Sequence, residues 1–308
     1  MKHKREDTWG WMLASDFFFA GMGGAMLLIA GLADLTQGVG KISRLGNIVA
    51  PLFIALGACL LILELGRPLQ AWRVFLNPRA ILTIGAWTML VAIGLGLFYA
   101  SFGLQGMPWS NWIALRKIIA LLLVFAGLIV ATYPGILLGR HKSRPFWTGP
   151  AMMMLFLLSS LITGLASHIL SSVILPPKSG DLIIYLKWLA VIFLGMQILF
   201  WIGYLWVKYT GTTEREAIAV KKWIQGNFSY LFWIGFILIG SLSPLILLLL
   251  QGNIYLVLGS VFALLGGALM RWMVIDSGKE RTWLPGEIAY RMRLPAGNEE
   301  FLKAWNSE

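Results

Sequence analysis

The chain has 308 residues, 58% of them hydrophobic, and a formal net charge of +11 from 25 basic and 14 acidic residues. This apolar content is far above that of a soluble domain, so the composition excludes a soluble enzyme and indicates an integral membrane protein. Nucleic-acid binding is also disfavoured, because basic and aromatic residues do not interleave outside the apolar stretches.

Eight apolar stretches of about 20 residues follow one another along the chain, each long enough to span a bilayer as a helix. They cover residues 11–33, 47–66, 81–104, 112–137, 148–172, 183–207, 228–250 and 252–276. The first is too long for a cleavable signal peptide and no small-residue cleavage site follows it. The sequence therefore predicts an all-α, multi-pass protein of the cell membrane, with eight transmembrane helices in two four-helix bundles.

Basic residues orient these spans. Eight spans put both termini on one face, and 19 of the 25 lysines and arginines lie on that face, whereas the other side holds Lys41, Arg44, Arg116, Lys117, Lys178 and Lys187. By the positive-inside rule the face of the termini is cytoplasmic, and its charge suits contact with anionic lipid. We expect an eight-helix membrane domain over residues 1–276. Residues 277–308 would form a cytoplasmic tail, either a docking segment or a solvated one.

Cysteine and histidine are scarce. Cys59 is the single cysteine, so the chain cannot supply the ligands of an iron–sulfur cluster. Of the three histidines, His3, His141 and His168, only His168 lies in a span, whereas a bis-histidine haem needs two. We therefore expect no haem, cluster or other metal site in this chain. His168 is interpreted as a hydrogen-bonding residue near a helix end.

An acid, Asp16, lies about a turn and a half inside the first span. Because an ionisable residue at membrane depth costs a few kcal/mol, on the order of 3 on insertion scales, it indicates a functional site. Asp16 shares a helical face with Ala20, Gly23, Gly24 and Leu27, and small residues there let another helix or a flat ligand approach. The other interpretation is a polar tie between helices, or a hydrated acid near the interface.

A second polar group closes the second span, in the stretch "LELGRPLQAWRVFLNPRA" at residues 63–80. Glu64 ends the helix, Gly66 and Pro68 stop it, and Arg67 lies at the interface. Spacing alone favours ordinary helix-end chemistry with snorkelling arginines.

A third group lies at Tyr133-Pro134-Gly135, which is predicted to interrupt the end of the fourth span. Pro134 removes a backbone donor and frees an upstream carbonyl, so the Tyr133 phenol would lie beside unsatisfied backbone. Placement in the interfacial aromatic belt is the alternative. The helix directions put Asp16, Glu64, Tyr133 and Arg271 near the same membrane face, which suggests one site.

At these residues the chain resembles the NrfD/PsrC-type family, the membrane subunits of polysulfide reductase and related complex iron–sulfur molybdoenzymes. The matching stretches are "LELGRP", "NPRAILTIGAW", "TYPGILL", "RPFWTGPAMMMLFLLSSLITG" and "LLGGALMRW", whose order and spacing extend over nearly the whole chain. The resemblance implies a haem-free subunit that binds a quinone, in particular menaquinone. It would exchange electrons with a cluster-bearing partner, and the substrate chemistry would reside on a partner subunit.

The resemblance also assigns residues. Tyr133 would donate to a quinone carbonyl and Asp16 would contact the head group and relay protons, with Glu64 and Arg67 as further members of the quinone site. A carboxyl in apolar surroundings holds its proton more firmly, which suits proton relay near neutral pH. Because the basic bias puts these motifs in the cytoplasm, we expect a ferredoxin-like iron–sulfur subunit docked there, together with a catalytic subunit for which molybdopterin dependence is one option.

Two other functions stay open at this point. A secondary transporter or ion channel would use Asp16, Glu64 and Lys187 to line a path, but transporters place broken helices near the midplane and here the breaks lie at one interface. A structural anchor would tether a soluble enzyme without needing intramembrane acids. If protons cross the membrane, Lys187 and His168 are the candidate proton-carrying residues near the face opposite the termini.

Overall fold

Long apolar helices make up the computed structural model of the chain, which describes residues 10–38, 40–64, 68–76, 80–104, 106–141, 144, 146–177, 182–211 and 214–278. The membrane-length helices are α1 (Trp11–Thr36), α2 (Arg44–Glu64), α3 (Ile81–Ser101), α4 (Ile113–Gly139), α5 (Ala151–Ile174), α6 (Leu182–Thr210), α8 (Leu231–Leu249) and α9 (Asn253–Ser277). All eight have the length and composition of transmembrane helices, so the predicted spans are confirmed, with ends that shift by at most three residues.

The helices form two four-helix bundles, as predicted. In the first bundle α1 packs against α2 and α4, and α3 completes the ring by packing against both. In the second, α5 packs against α6 and α9, and α8 lies against both α6 and α9. Contacts of α1 with α5 and α9, and of α4 with α5, join the bundles. The two junction helices, α1 and α5, are 78% and 72% buried over their most apolar stretches, whereas the outer helices present apolar side chains outward.

Glycines let α1 approach its neighbours on two sides. A Cβ added at Gly23 would lie 2.6 Å from the Ala50 carbonyl oxygen of α2, and one at Gly24 would lie 3.0 Å from the Gly127 carbonyl oxygen of α4. The two glycines therefore serve different helix contacts, although the sequence placed both on the face of Asp16. Close backbone approach of this kind is how helices associate in lipid, where apolar burial alone gives no driving force.

Two short elements were not predicted. A 3₁₀ helix, Pro68–Leu76, follows α2, and an amphipathic helix, α7 (Glu214–Ile224), lies between α6 and α8. The first part of α8, Leu231–Leu242, has π-helical hydrogen bonding and continues into α-helix over Ser243–Leu249. Short helices of mixed polarity lack the long apolar run that marks a span, so the search for spans passes over them.

The predicted interruption of the fourth span is wrong. α4 runs without a break through Tyr133 and Pro134 to Gly139. Two hydroxyl groups donate to carbonyls near the proline, Thr132 Oγ1 to the Leu128 carbonyl at 2.8 Å and Ser160 Oγ to the Ala131 carbonyl at 3.3 Å. The carbonyl that Pro134 deprives of its helical donor is that of Val130, four residues earlier, and a membrane helix tolerates a proline where its packed neighbours keep the helix in place.

Candidate functional site

One end of the first bundle collects the start of α1, the end of α2 and the last third of α4. The backbone N–H of Gly10 donates to Glu64 Oε1 at 2.9 Å, which fastens the end of α2 to the start of α1. Asp16 and Tyr133 lie inside this end, both almost fully buried. Helix direction alone predicted that Asp16, Glu64 and Tyr133 share a membrane face, and the structure brings these side chains together.

Asp16 is fully enclosed and without a hydrogen bond. Neither of its carboxyl oxygens has a partner among the described residues. The space beside it comes from α2, since a Cβ added at Gly57 would lie 3.0 Å from Asp16 Oδ1. An unpaired buried carboxyl is costly, and it gives no support to the interpretation of Asp16 as a hydrogen-bonded tie between helices.

Tyr133 projects from α4 into the same region. Its ring lies against Gly85 on α3, where any added Cβ would overlap the ring carbons, and it meets Phe17 edge to face at 6.4 Å between centroids. The hydroxyl is buried and has no partner in the described part of the chain. A buried phenol normally finds a hydrogen-bond partner, so this one is available to a ligand. Its burial argues against the aromatic-belt interpretation.

Glu64 is half-buried at the edge of the cluster. One carboxyl oxygen accepts the Gly10 bond, and the other, Oε2, is buried without a described partner. Glu64 lies close enough to Asp16, and Asp16 to Tyr133, for their charges to interact. We call Asp16, Glu64 and Tyr133 the acid–phenol cluster. Arg67, the fourth predicted contact residue, lies outside the described residues.

Arg271, predicted at the same end, belongs to the junction between the bundles. Its fully buried guanidinium donates to the Phe17 carbonyl (3.0 Å), Ser159 Oγ (2.8 Å), Ser160 Oγ (2.9 Å) and the Gly267 carbonyl (3.0 Å). Phe18 and Phe156 lie within 6 Å of it as cation–π partners. Within the described ranges no hydrogen bond or ion pair links Arg271 to the acid–phenol cluster. Its contacts tie α9 to α1 and α5.

A buried ion pair at the opposite end of the first bundle was not predicted. Arg116 Nε bonds Asp34 Oδ2 at 2.6 Å, and its Nη2 bonds Oδ1 at 3.3 Å. The guanidinium lies 5.1 Å from the centre of the Tyr99 ring. The signal was an acid just beyond the first predicted span and a base just inside the fourth, at the same membrane depth. Because each charge has its partner, the pair fits a structural role.

His168 serves as a hydrogen-bonding residue, as expected. Its Nε2 lies 2.8 Å from the Met26 carbonyl oxygen of α1, and its ring is fully buried six residues before the end of α5. Nδ1 has no described partner. Lys187 lies near the start of α6, where it donates to the Leu250 carbonyl at 3.4 Å. It is at the other membrane face from Asp16 and Glu64, so the three do not line one compact path.

Two cavities lie between helices. The first, about 490 Å³, is an apolar cleft where the bundles meet, walled by α1, α2, α5 and α9. Phe53 lines this cleft and lies one helical turn from Gly57, the residue of α2 that packs against Asp16. The second, about 410 Å³, is formed by α6, α7 and α8. The acid–phenol cluster itself is closed over by Phe17, Gly57 and Gly85, so a ligand reaches it by displacement of side chains.

The cluster has a definite chemical capacity. A phenol donates a hydrogen bond to a carbonyl oxygen, and a carboxyl donates when protonated and accepts when ionised. Four buried oxygen atoms without described partners lie together here: both of Asp16, one of Glu64 and that of Tyr133. These groups can therefore form hydrogen bonds with a polar oxygen placed beside them and exchange protons with it. Glu64 lies between Asp16 and the outside.

Comparison with known proteins places this architecture among characterised families. A family model described as polysulphide reductase, NrfD, matches residues 1–281. A polysulfide reductase subunit of Wolinella succinogenes is 25% identical, with 88% of this chain and 94% of that protein covered. Protein NrfD homolog of Haemophilus influenzae is 25% identical (90% and 96% covered), and protein NrfD of Escherichia coli 22% (90% and 96% covered).

Proposed function

This chain belongs to the NrfD (polysulphide reductase) family, and from that premise we propose that it binds a quinone at the acid–phenol cluster. The chain is a multi-pass protein of the cell membrane and a membrane-anchor subunit of the polysulfide-reductase type. The quinone site would make it the point at which electrons pass between the lipid-soluble quinone pool and a redox partner. Menaquinone is the quinone we propose.

The observation that carries this proposal is the set of four unpartnered oxygens in one buried place. Burying a polar group without a hydrogen bond costs on the order of 1–3 kcal/mol in proteins, so three such side chains together are costly unless a ligand pairs with them. The fit to a quinone is chemical: a flat ring with two carbonyl oxygens meets one phenol and two carboxyls, beside the aromatic wall of Phe17.

Each residue of the cluster has a distinct role in the proposal. A bound quinone supplies reversible two-electron, two-proton chemistry. Tyr133 Oη donates a hydrogen bond that orients and polarises one ring carbonyl. Asp16 holds or releases a proton at its carboxyl oxygen beside the ring. Glu64, half-buried and within electrostatic reach of Asp16, passes that proton on towards the surface. Arg67 follows Glu64 closely in the chain and is proposed as a further contact.

The electron partner is proposed to be a separate subunit. The chain has one cysteine, Cys59, which is exposed on α2, and cannot hold an iron–sulfur cluster. We propose a ferredoxin-like iron–sulfur subunit and a catalytic subunit, of molybdopterin type as one option, on the membrane face that carries the cluster. The excess of basic residues on that face supports a cytoplasmic position.

Copurification tests the proposal as a whole. The full chain would be isolated in mild detergent from its native membrane, and the preparation analysed for extractable quinone and for partner subunits with bound iron. Quinone together with an iron–sulfur subunit is the expected result. Partner subunits without any quinone would leave the chain a structural anchor, which contradicts the proposal.

Ion translocation is the second candidate, and one observation favours it. The buried face of α5 carries a column of polar side chains that extends from the Arg271 contacts towards the other membrane face: Ser159, Ser160, Thr163, Ser167, His168 and Ser171. Proteoliposomes containing the purified chain, under an imposed membrane potential and with a pH-sensitive dye inside, test it. Proton uptake that Ser167→Ala reduces would favour translocation, and a tight vesicle would count against it.

A further inference from the structure

The second cavity lies in the second bundle, near the end of α6. Its volume is about 410 Å³. Its walls come from the second half of α6, from α7 and from the start of α8, and nearly all of them are apolar or aromatic. The cavity is thus a groove that opens outward from the second bundle, where lipid surrounds the protein.

The groove is polarised along its length. On α6 the lining residues proceed from Ile198, deep in the span, through Ile202 and Trp206 to Tyr209, eleven residues or about 16 Å at the α-helical rise. At the outer end α7 adds Lys221 and Gln225, both exposed. The groove is therefore lined by apolar side chains and ends at the Lys221 ammonium, the Gln225 amide and the Tyr209 phenol.

The groove is also preformed. Its inner wall includes Trp201, which stacks on Trp223 of α7 with 5.0 Å between ring centroids. The Trp223 indole N–H donates to Ser277 Oγ of α9, and the Trp233 indole N–H donates to the Ile224 carbonyl at 3.1 Å. A bond of 2.8 Å between Lys208 Nζ and Glu216 Oε1 holds the first turn of α7 to α6. The surface helix is therefore fixed over the outer end of the groove.

The charge at the outer end has no acidic partner in the described part of the chain. Among the described side chains no carboxylate forms an ion pair with Lys221, whereas Lys208 of α6 pairs with Glu216. Exposed aromatic residues flank the groove, with Trp206 68% and Trp233 50% exposed. Tryptophan at this depth is typical of the headgroup region of a bilayer.

From these observations we propose that the groove between α6, α7 and α8 binds one anionic phospholipid. The acyl chains lie along Ile198, Ile202, Trp206 and Ile237, and the headgroup phosphate meets Lys221, with Gln225 and Tyr209 as hydrogen-bond donors. A quinone tail would fill the apolar part equally well but has no negative charge for Lys221. A basic residue at the membrane surface favours anionic headgroups over zwitterionic ones.

Native mass spectrometry of the purified full chain tests this site. The protein in detergent would be titrated with dioleoyl phosphatidylglycerol and, separately, with dioleoyl phosphatidylcholine. We expect one tight phosphatidylglycerol molecule and weaker phosphatidylcholine binding. Lys221→Gln should weaken phosphatidylglycerol binding about fivefold, the effect of about one interfacial basic residue, and leave phosphatidylcholine binding unchanged.

Two variants make the outcome decisive. Lys117→Gln, at an exposed lysine near the start of α4 on the other membrane face, is the matched control and should bind as the parent does. Trp206→Ala removes an exposed wall of the groove and should weaken both lipids. Equal binding of the two lipids by the parent, or equal effects of Lys221→Gln and Lys117→Gln, would overturn the proposal. Displacement of phosphatidylglycerol from this groove by a soluble menaquinone analogue would also overturn it, whereas quinone held at the acid–phenol cluster would not.

Discussion

At the residue scale, the central side chain is Tyr133, whose hydroxyl is buried with no described partner. Its ring position depends on α3, because Gly85 leaves the space that the ring fills. A second buried phenol, Tyr99, lies at the other end of the same bundle, with its hydroxyl 3.4 Å from the Ala30 carbonyl oxygen. The two tyrosines therefore form a natural test pair, one within the proposed site and one outside it.

Removal of the Tyr133 hydroxyl should weaken quinone binding. We expect Tyr133→Phe to lower affinity for a soluble menaquinone analogue by about 1–2 kcal/mol, the scale of one hydrogen bond to a buried ligand. Calorimetric titration of the purified protein with the analogue measures this affinity. Tyr99→Phe, the matched control, should bind as the parent does. If Tyr133→Phe retained parental affinity, the phenol would have no part in ligand recognition.

Asp16→Asn keeps the size of the side chain and removes its proton chemistry. We expect the assembled complex to retain its subunits but to lose about ten- to a hundredfold in quinone-coupled turnover, as for a lost proton-transfer group. The measurement is the turnover rate with a soluble quinone analogue and an artificial electron donor or acceptor. Subunit composition on a native gel is the control. An unchanged rate in an intact complex would remove Asp16 from the proton route.

At the scale of elements, α1 is the helix that both bundles share. It contributes Asp16 to the cluster, the Phe17 carbonyl to Arg271, the Met26 carbonyl to His168 and Asp34 to the ion pair with Arg116. Its small residues allow contact with neighbouring backbones, and this leaves little room for adjustment. These four polar groups thus depend on one helix in its register.

α3 packs against the Tyr133 ring, so a substitution in α3 tests whether the position of that ring matters for the site. Gly85→Ala places a methyl where the Tyr133 ring lies, so either the ring or α3 must move. We expect quinone binding to fall as far as in Tyr133→Phe, or further, together with a lower unfolding temperature. Gly94→Ala on the same helix has open space and should change neither. Parental binding in Gly85→Ala would show that the ring position does not matter.

Much of this architecture follows from the sequence because lipid imposes a simple requirement. Every span must be a long apolar helix, and eight such runs are plain in the chain. The depth of Asp16, Glu64 and Tyr133 also follows, since helix direction fixes it. The sequence does not show which side chains point into the bundle. Gly57 and Gly85 make room for Asp16 and Tyr133, but in the sequence they look like ordinary small residues of a span.

Other features needed the packed structure. Arg271 lies at the depth expected of a site residue, but its hydrogen bonds to Ser159 and Ser160 place it at the bundle junction. α4 continues through Pro134 while packed against α1, α3 and α5, and a proline rule applied to one helix does not include such packing. In each case the deciding contact comes from outside the local sequence.

At the scale of the whole molecule, orientation decides on which side of the membrane the proposed redox partner would dock. The acid–phenol cluster, α7 and the 3₁₀ helix lie at the end of the bundles where α1 begins and α9 ends. The positive-inside rule predicts that this end faces the cytoplasm. We predict that a reporter fused to Glu308 which fluoresces only in the cytoplasm will be bright, and that a reporter active only outside the cell will be silent at the same position. The opposite pattern would move the partner outside the cell.

Photoaffinity labelling tests the quinone site most directly. The purified chain would be irradiated with an azido-menaquinone analogue, digested, and the labelled peptides identified by mass spectrometry, with excess unmodified quinone as competitor. Our account predicts competable labels in the peptides around Asp16, Glu64 and Tyr133, reduced in Tyr133→Phe and retained in Tyr99→Phe. Competable labels confined to other helices, such as α6 and α8 of the second bundle, would contradict it.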